Sequence, residues 1–557
     1  MNQANTTYDV AIVGSGINGS LLGAILARNG LKVIIFEAGV HPKFAIGESM
    51  ILETSEMLRA IAELFGVPEA AYLSSENYFA YIGGSHGVKR HFSFVHHSEG
   101  QQQDPKHVLQ AVIPKAPYGH ELHVYRQDSD CYLTTVAISC GAQVLQATKV
   151  QDITIAPDGV VVITDRGNFD AEYVVDAAGF RSILAERLDL RDRDMLSDSR
   201  AIFTHMVDVP CFNDVRASTK DYGIPFRFSE GTLHQIFEGG WLWVIPFNNH
   251  ASATNPLCSV GLLLDSRFHP PRPDLSPEQE FQAFVDRYPS LRAQFDQAKA
   301  VRGWTRTGRI QYTARQVVGD RFALLGHAAG FVDPLYSKGL YISFMSTAML
   351  AHLLLEAHQE GDYSAARFQP LEKLTLAYVS AADRLVANSF KSWGNIELWN
   401  VYAVLWLLGA YLEYLKLTSA RLRAGSRQAY IDEIQGLHLV GGGYEAFDQL
   451  AEEIDSIVEA VDIDDDAAVA RAVVQIRDLF AAIDFMPEAF NQLLAGENHL
   501  PVRKLRLSLL KPGEGFLGQG RYREHFFGSG SVVDLAQLYL REQVVYATPG
   551  LSGPVQR

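Results

Sequence analysis

Residues Tyr8–Val13 form a short apolar run, followed by Gly14-Ser15-Gly16-Ile17-Asn18-Gly19 and a helical pattern from Leu21 to Asn29. No other stretch narrows the fold as much. A buried strand, a glycine turn and a helix make up the unit in which backbone approaches a pyrophosphate and a helix points its amide end at it. A second apolar run, Lys32 to Phe36, ends in Glu37, eighteen residues beyond Gly19, where a carboxylate accepts hydrogen bonds from ribose hydroxyls. Strand, glycines, helix, strand and acid in this register predict an adenine dinucleotide site with Gly14, Gly16, Asn18, Gly19 and Glu37 as its contacts. The fold class that follows is α/β and Rossmann-like.

Two later segments decide which dinucleotide. Gly319 to Leu325 reads as a strand running into the small-residue turn Gly326-His327-Ala328-Ala329-Gly330 and on to Asp333-Pro334, and Tyr173-Val174-Val175-Asp176 ends in Ala177-Ala178-Gly179. Nicotinamide enzymes do not need such segments, whereas a flavin's ribityl chain and ring do. The three together favour FAD over NAD.

Gly240-Trp241-Leu242-Trp243-Val244-Ile245-Pro246 places two indoles one residue apart. On a strand Trp241 and Trp243 share a face and Leu242 and Val244 take the other. Taken alone, the pair fits an aromatic sheet face in a core as well as a pocket that excludes water.

With these segments in view, the chain resembles the flavin-dependent halogenases, in their pyrrole and phenylpyrrole (pyrrolnitrin-type) branch. The residues carrying the likeness are the N-terminal glycine motif, His41-Pro42-Lys43-Phe44-Ala45-Ile46-Gly47-Glu48-Ser49, Gly87-Val88-Lys89-Arg90, Tyr125-Arg126-Gln127-Asp128, the Trp-x-Trp-x-Ile-Pro segment and Asp333-Pro334-Leu335-Tyr336-Ser337-Lys338-Gly339-Leu340.

The resemblance implies an FADH2- and O2-dependent enzyme that oxidises chloride or bromide to hypohalous acid and delivers it, away from water, to a lysine facing an electron-rich ring. Lys89 is the lysine so implied. Glu48, Ser49, Arg126, Asp333, Gly339 and Leu340 join the glycine-motif residues as FAD contacts. Ser337, Lys338 and Gly339 are the halide position, where backbone N–H groups meet an anion. Trp241, Trp243, Pro246 and Tyr336 wall the pocket and keep the flavin from the organic substrate, while Lys43 is a surface or cofactor-side charge. Tryptophan-halogenating members carry a glutamate where this chain has Tyr336, which argues against free tryptophan as substrate. His327 stands where many flavin hydroxylases have aspartate.

The segment from Gly87 to Phe94 reads as one strand, so Lys89 and Arg90 face opposite sides and only one enters a pocket. A lysine in an apolar channel loses hydration and becomes a neutral amine more easily.

The resulting architecture is a hydroxylase-like FAD fold interleaved with an antiparallel substrate sheet over residues 1–345, then a mostly helical region over 346–557. The aromatic run Tyr78 to Ile82 is a candidate strand of that second sheet. Helical patterns cover Ser343 to Glu360, Leu371 to Trp393, Leu398 to Leu422, Glu445 to Val461 and Ala467 to Ile483. Asp462 to Asp466 lacks the glycine and terminal glutamate of a calcium loop and reads as a solvated helix start. Leu398 to Leu412 is uncharged over fifteen residues, short of the roughly twenty that span a bilayer. It reads as a buried helix, or one whose aromatic face meets a lipophilic substrate or partner.

A net charge of −16 with no basic stripe gives no support to a nucleic-acid partner, and none is expected. Cys131, Cys140, Cys211 and Cys258 have no metal-ligand spacing, and Met1 to Thr7 has no secretory pattern, so no metal and a cytoplasmic location are expected. The expected partners are a small aromatic substrate, pyrrole or phenol in type, and a separate flavin reductase that supplies FADH2. A carrier protein bearing the substrate stays open, as do a flavin hydroxylase and a silent relative that only binds an intermediate.

Overall fold

The computed structural model describes residues 7–115, 118–215, 222–500 and 520–528, together with the single residues 537 and 540. The polar start, Met1 to Thr6, lies outside the described residues. Two sheets organise the chain. In the first, the strand Tyr8–Val13 is central: Val33–Phe36 lies parallel on one side, followed by Gln143–Leu145, and Gly167–Asp176 lies parallel on the other, followed by Phe322–Leu324. Strands buried on both faces read as unbroken apolar runs, and Val10 to Ile12 and Ile34 to Ile35 are fully buried. The chain leaves the central strand in opposite directions to reach its two neighbours, which opens a crevice at the carboxyl ends of the strands.

The second sheet runs in the order Ser199–Val207, Cys258–Asp265, Gly240–Pro246, Thr232–Phe237, His91–His96, Val108–Val112, antiparallel except where His91–His96 lies beside Thr232–Phe237. Its alternation sorts the core. Trp241, Trp243 and Ile245 face the large core shared with the first sheet, while Leu242 and Val244 join a smaller one with Phe281, Phe284 and Leu291. The tryptophans thus share a face as expected. Trp243 finds room because Gly261 stands opposite it on the neighbouring strand, where a Cβ would lie 2.0 Å from the indole ring.

Two local expectations are corrected. Asn77–Tyr81 is a short helix, so the aromatic run is no strand. The stretch from Gly87 to Phe94 is two strands, broken at Arg90. Gly87–Lys89 pairs with Glu121–His123 in a two-stranded sheet of its own, and His91–His96 enters the large sheet. Arg90 holds the corner: its N–H bonds Glu230 O at 3.0 Å and its guanidinium pairs with the Glu230 carboxylate.

Long helices follow: Gly339–Glu360, Ala365–Ser392, Ile396–Arg423, Glu445–Ala460 and Asp466–Ala482. Asp465 caps the last, accepting the N–H groups of Ala467 and Ala468. Gly339–Glu360 and Ile396–Arg423 are long and apolar enough to cross a membrane, yet 89% and 67% of their most apolar windows are buried within the fold. Arg421 ties the latter helix to Leu52–Phe65 near the N-terminus, bonding Glu56 at 2.5 Å and Glu63 at 2.8 Å.

Candidate functional site

The glycine turn is closed by contacts that no side chain permits. Gly14 adopts φ +98°, and a Cβ on Gly19 would lie 2.0 Å from Gly14 O. Gly16, by contrast, has open space where its Cβ would be, with Asp130 Oδ2 at 4.0 Å the nearest atom, and it precedes the helix Ile17–Arg28 without a side-chain cap. The first N–H groups of that helix have no partner within it. Asn18 leaves Oδ1 buried without a hydrogen bond. A backbone cradle open to an anion, an unsatisfied amide beside it and three strand ends converging on one crevice suit an adenine dinucleotide with a pyrophosphate.

The acidic end of the cradle is more engaged than its sequence position suggests. Glu37 accepts from Ser15 N–H at 3.0 Å and Gly39 N–H at 2.8 Å, and also pairs with Lys43. Lys43 thus lies on the Glu37 side of the turn. Burial raises the Glu37 pKa, but Lys43 and the backbone donors outweigh it and the carboxyl is held below its usual value. Arg126 grips Asp130 at 2.7 and 2.9 Å and bonds Ile46 O at 2.6 Å, bracing the loop over the turn. Glu48 accepts from His205 at 2.7 Å, and Ser49 begins a chain through Thr232 and His123 to the Pro246 carbonyl. Asp333 accepts Leu335 N–H at 3.0 Å and Ser199 Oγ at 3.2 Å, with its pKa pushed up to about 7 by burial.

A second locus lies across the large sheet. Lys89 is fully buried, with Nζ 3.1 Å from Ser337 Oγ and 3.3 Å from the centroid of the Phe92 ring. Burial pushes its pKa well below the ordinary lysine value, against the pull of Glu121 and Glu53 and with the push of Lys338. From Phe92 a row of rings leads to the tryptophan strand: Phe92 to His234 at 5.8 Å, His234 to Trp241 at 5.2 Å, and Trp241 to Trp243 at 5.9 Å. Register makes the row, since His234 is opposite Phe94 on one side and Trp243 on the other. His91, His123 and His234 are each pushed down to about 3 by burial and stand neutral around the amine.

Ser337, Lys338 and Gly339 form the turn that begins the helix Gly339–Glu360. Ser337 sits at φ +56° and donates its N–H to Pro334 O, so the free amides of this turn are those at the helix start. The Lys338 side chain is already spent. Its ammonium lies 2.7 Å from Glu53 and 2.8 Å from Glu413, both buried, and Glu413 also accepts from Tyr341 and Tyr378. The two carboxylates outweigh burial and raise the Lys338 pKa. Leu340 is buried in the same first turn.

Next to Lys89 is a cavity of about 200 Å3, whose lining includes Glu53, Phe92, Glu121, Tyr336, Lys338 and Trp406. Tyr336 donates to or accepts from Ser389 at 2.5 Å and stacks on Trp406 at 4.6 Å. Lys89, Tyr336 and the Ser337 turn thus come together here, while the glycine residues, Glu37 and Arg126 gather at the crevice and the tryptophans stand in the sheet. Sequence reading missed Glu53, Glu121, Trp406, His205 and His234. Glu121 had one signal: it is a charged residue in the apolar run Glu121-Leu122-His123-Val124.

Comparison with known proteins places the chain among halogenases. The family model described as tryptophan halogenase matches residues 86–381. The chain is 41% identical to the monodechloroaminopyrrolnitrin halogenase PrnC of Pseudomonas fluorescens over 85% of each chain. It is 41% identical to the tetracycline 7-halogenase of Kitasatospora aureofaciens, over 82% of this chain and 83% of that one. A Pseudomonas fluorescens chlorinase named for a pyrrole-2-carbonyl group on a peptidyl-carrier protein is 26% identical over 77% of this chain and 92% of that one. Among solved structures, halogenase PltM in complex with phloroglucinol and FAD superposes with a TM-score of 0.83 at 32% identity, covering 88% of this chain and 99% of that one.

Proposed function

The chain belongs to the flavin-dependent halogenase family, and we propose that it halogenates a free phenol- or pyrrole-type small molecule, with Lys89 presenting the electrophile. It is an FAD-dependent enzyme that uses O2 and halide on aromatic substrates. FAD, reduced by a separate flavin reductase, supplies with O2 the oxidising power that turns halide into hypohalous acid. Gly14, Gly16, Asn18, Gly19, Glu37 and Arg126 hold the dinucleotide end, and the loop of Glu48 and Ser49 with Asp333, Gly339 and Leu340 meets the rest. The amides opening the helix at Lys338 and Gly339 receive the halide.

The observation that carries this reading is Lys89: a fully buried amine between Ser337 and Phe92, beside an aromatic cavity. A lysine kept from water gives up its proton more easily than an exposed one, so it holds hypohalous acid by hydrogen bond or as a chloramine. Trp241, Trp243 and Pro246 keep the ring off the flavin. The cavity supports a small free substrate, because Trp406 and other residues of the C-terminal helices form part of its wall.

The test is reconstitution with FAD, flavin reductase, NADH, O2 and chloride over a panel of phenols, pyrroles and indoles, read by isotope pattern in mass spectrometry. A chlorinated product that needs chloride is expected. An oxygenated product formed without halide would move the reading to a hydroxylase. Chlorination only of carrier-bound pyrroles would overturn the free-substrate part.

A further inference from the structure

Glu121 is built into the wall of the cavity beside Lys89. It is fully buried and lines the same cavity as Phe92 and Tyr336. In the two-stranded sheet it stands directly opposite Lys89, so the two side chains share a face. Its Oε2 accepts from Ser55 Oγ at 2.5 Å, and its Oε1 accepts from Ser75 Oγ at 3.3 Å. Ser55 Oγ in turn accepts the Ser75 N–H at 3.1 Å, which holds Ser75 at φ +49°, a region a serine seldom enters. A chain that fixes a carboxylate this closely beside an apolar cavity, with no salt bridge to it among the described residues, leaves acceptor capacity facing whatever fills the space.

We propose that Glu121 accepts the hydrogen bond of the substrate's own ring O–H or N–H and takes that proton as the carbon–halogen bond forms. The inference rests on the halogenase reading and names its substrate class: rings with a hydrogen-bond donor on or in the ring. For a phenol, a ring carbon's electron pair forms the C–Cl bond while the Cl–O bond of hypochlorous acid breaks, and the phenolic proton passes to Glu121. The hydroxide released leaves as water with the proton from the chlorinated carbon. Glu121 then returns its proton to the ring oxygen, so ring and hypochlorous acid become chlorinated ring and water. Glu121 reaches the cavity from the strand Glu121–His123, and Tyr336 from the turn before the helix Gly339–Glu360.

The titratable groups around Glu121 are Glu53 and Arg59 on the helix Leu52–Phe65, Lys89 on the facing strand, Lys338 in the cavity wall and the neutral His123 two residues on. Burial, opposed by Ser55, Arg59, Ser75 and Lys89, pushes the Glu121 pKa up to about 7. Only the ionised form takes a proton, so the rate of the wild-type enzyme rises with pH through that value.

The test takes the panel ring that the wild-type holoenzyme chlorinates best, together with its O- or N-methylated counterpart, and compares wild type with Glu121→Gln. For the donor-bearing ring, kcat is expected to fall by about 10²-fold or more. The methylated ring changes by less than about threefold, and the pH–rate step near 7 disappears. FAD affinity, read by flavin fluorescence, and hypochlorous acid formation, read by a scavenger in the absence of substrate, stay at wild-type levels. Equal rates on the two rings in wild type, an unchanged pH profile in the variant, or loss of FAD binding along with activity would each overturn the role. A wild-type enzyme that chlorinates nothing on the panel would instead remove the reading beneath it.

Discussion

The dinucleotide cradle and the lysine chamber are built in opposite ways. The cradle comes from contiguous chain, Tyr8 to Glu37, and acts through backbone: tight glycines, an open helix end, amides facing outward. The chamber collects side chains from Glu53, Glu121, Tyr336 and Trp406, with Lys89 opposite Glu121 beside it, and they meet only when two sheets and a C-terminal helix have packed. A binding site for a fixed cofactor depends on backbone geometry, which tolerates little variation. A site for a variable ring depends on side chains, which change one at a time.

If the regions are separable, the largest effect is confined to one of them. Lys89→Met keeps the volume but removes the amine, and halogenation is expected to fall by at least about 10³-fold with FAD affinity unchanged. Product analysis and flavin titration check this, and loss of flavin binding would break the separation. Next, Glu413→Gln leaves the Lys338 ammonium with a single carboxylate in a buried site and is expected to cost about 3 kcal/mol of stability in urea unfolding. A shift under 1 kcal/mol would mean that this network does not hold the chamber floor.

Gly19→Ala tests the other side. With a Cβ placed 2.0 Å from Gly14 O, it is expected to cost about 2 kcal/mol and weaken FAD binding about tenfold or more. The smallest expected effect is Trp406→Phe, which keeps a ring against Tyr336 but trims it. The KM for an aromatic substrate is expected to rise about threefold, while chloride dependence and FAD affinity stay put. A matching change in FAD affinity would show that the C-terminal helix reaches the cradle.

The same contrast explains what was legible in the sequence. Gly14, Gly16, Gly19 and Glu37 are legible through spacing, because the strand–turn–helix–strand unit they mark is contiguous in the chain. Trp241 and Trp243 announced a shared face through the period of a strand. Lys89 was singled out only through its family likeness, and its placement opposite Glu121 was not legible, since the pair is made by register between strands thirty-two residues apart. Asn77–Tyr81 misled because a run of five residues rich in aromatics has no period long enough to separate helix from strand. Arg90 misled for another reason: the chain changes sheets there, and alternation continues across the corner as if nothing had happened. Lys338 lies in the motif where an anion site was expected, but no motif shows that Glu53 and Glu413 take up its charge.

That shared ammonium has an evolutionary corollary. Lys338 comes from the turn before one helix, Glu53 from near the N-terminus and Glu413 from the C-terminal region, so one buried cation stitches three distant parts of the gene together. A chimera that imports the C-terminal half from a cousin lacking the acid would leave that buried ammonium with Glu53 alone. New substrate ranges in this lineage should therefore arise by changing Trp406 and its neighbours in place, rather than by exchanging whole segments.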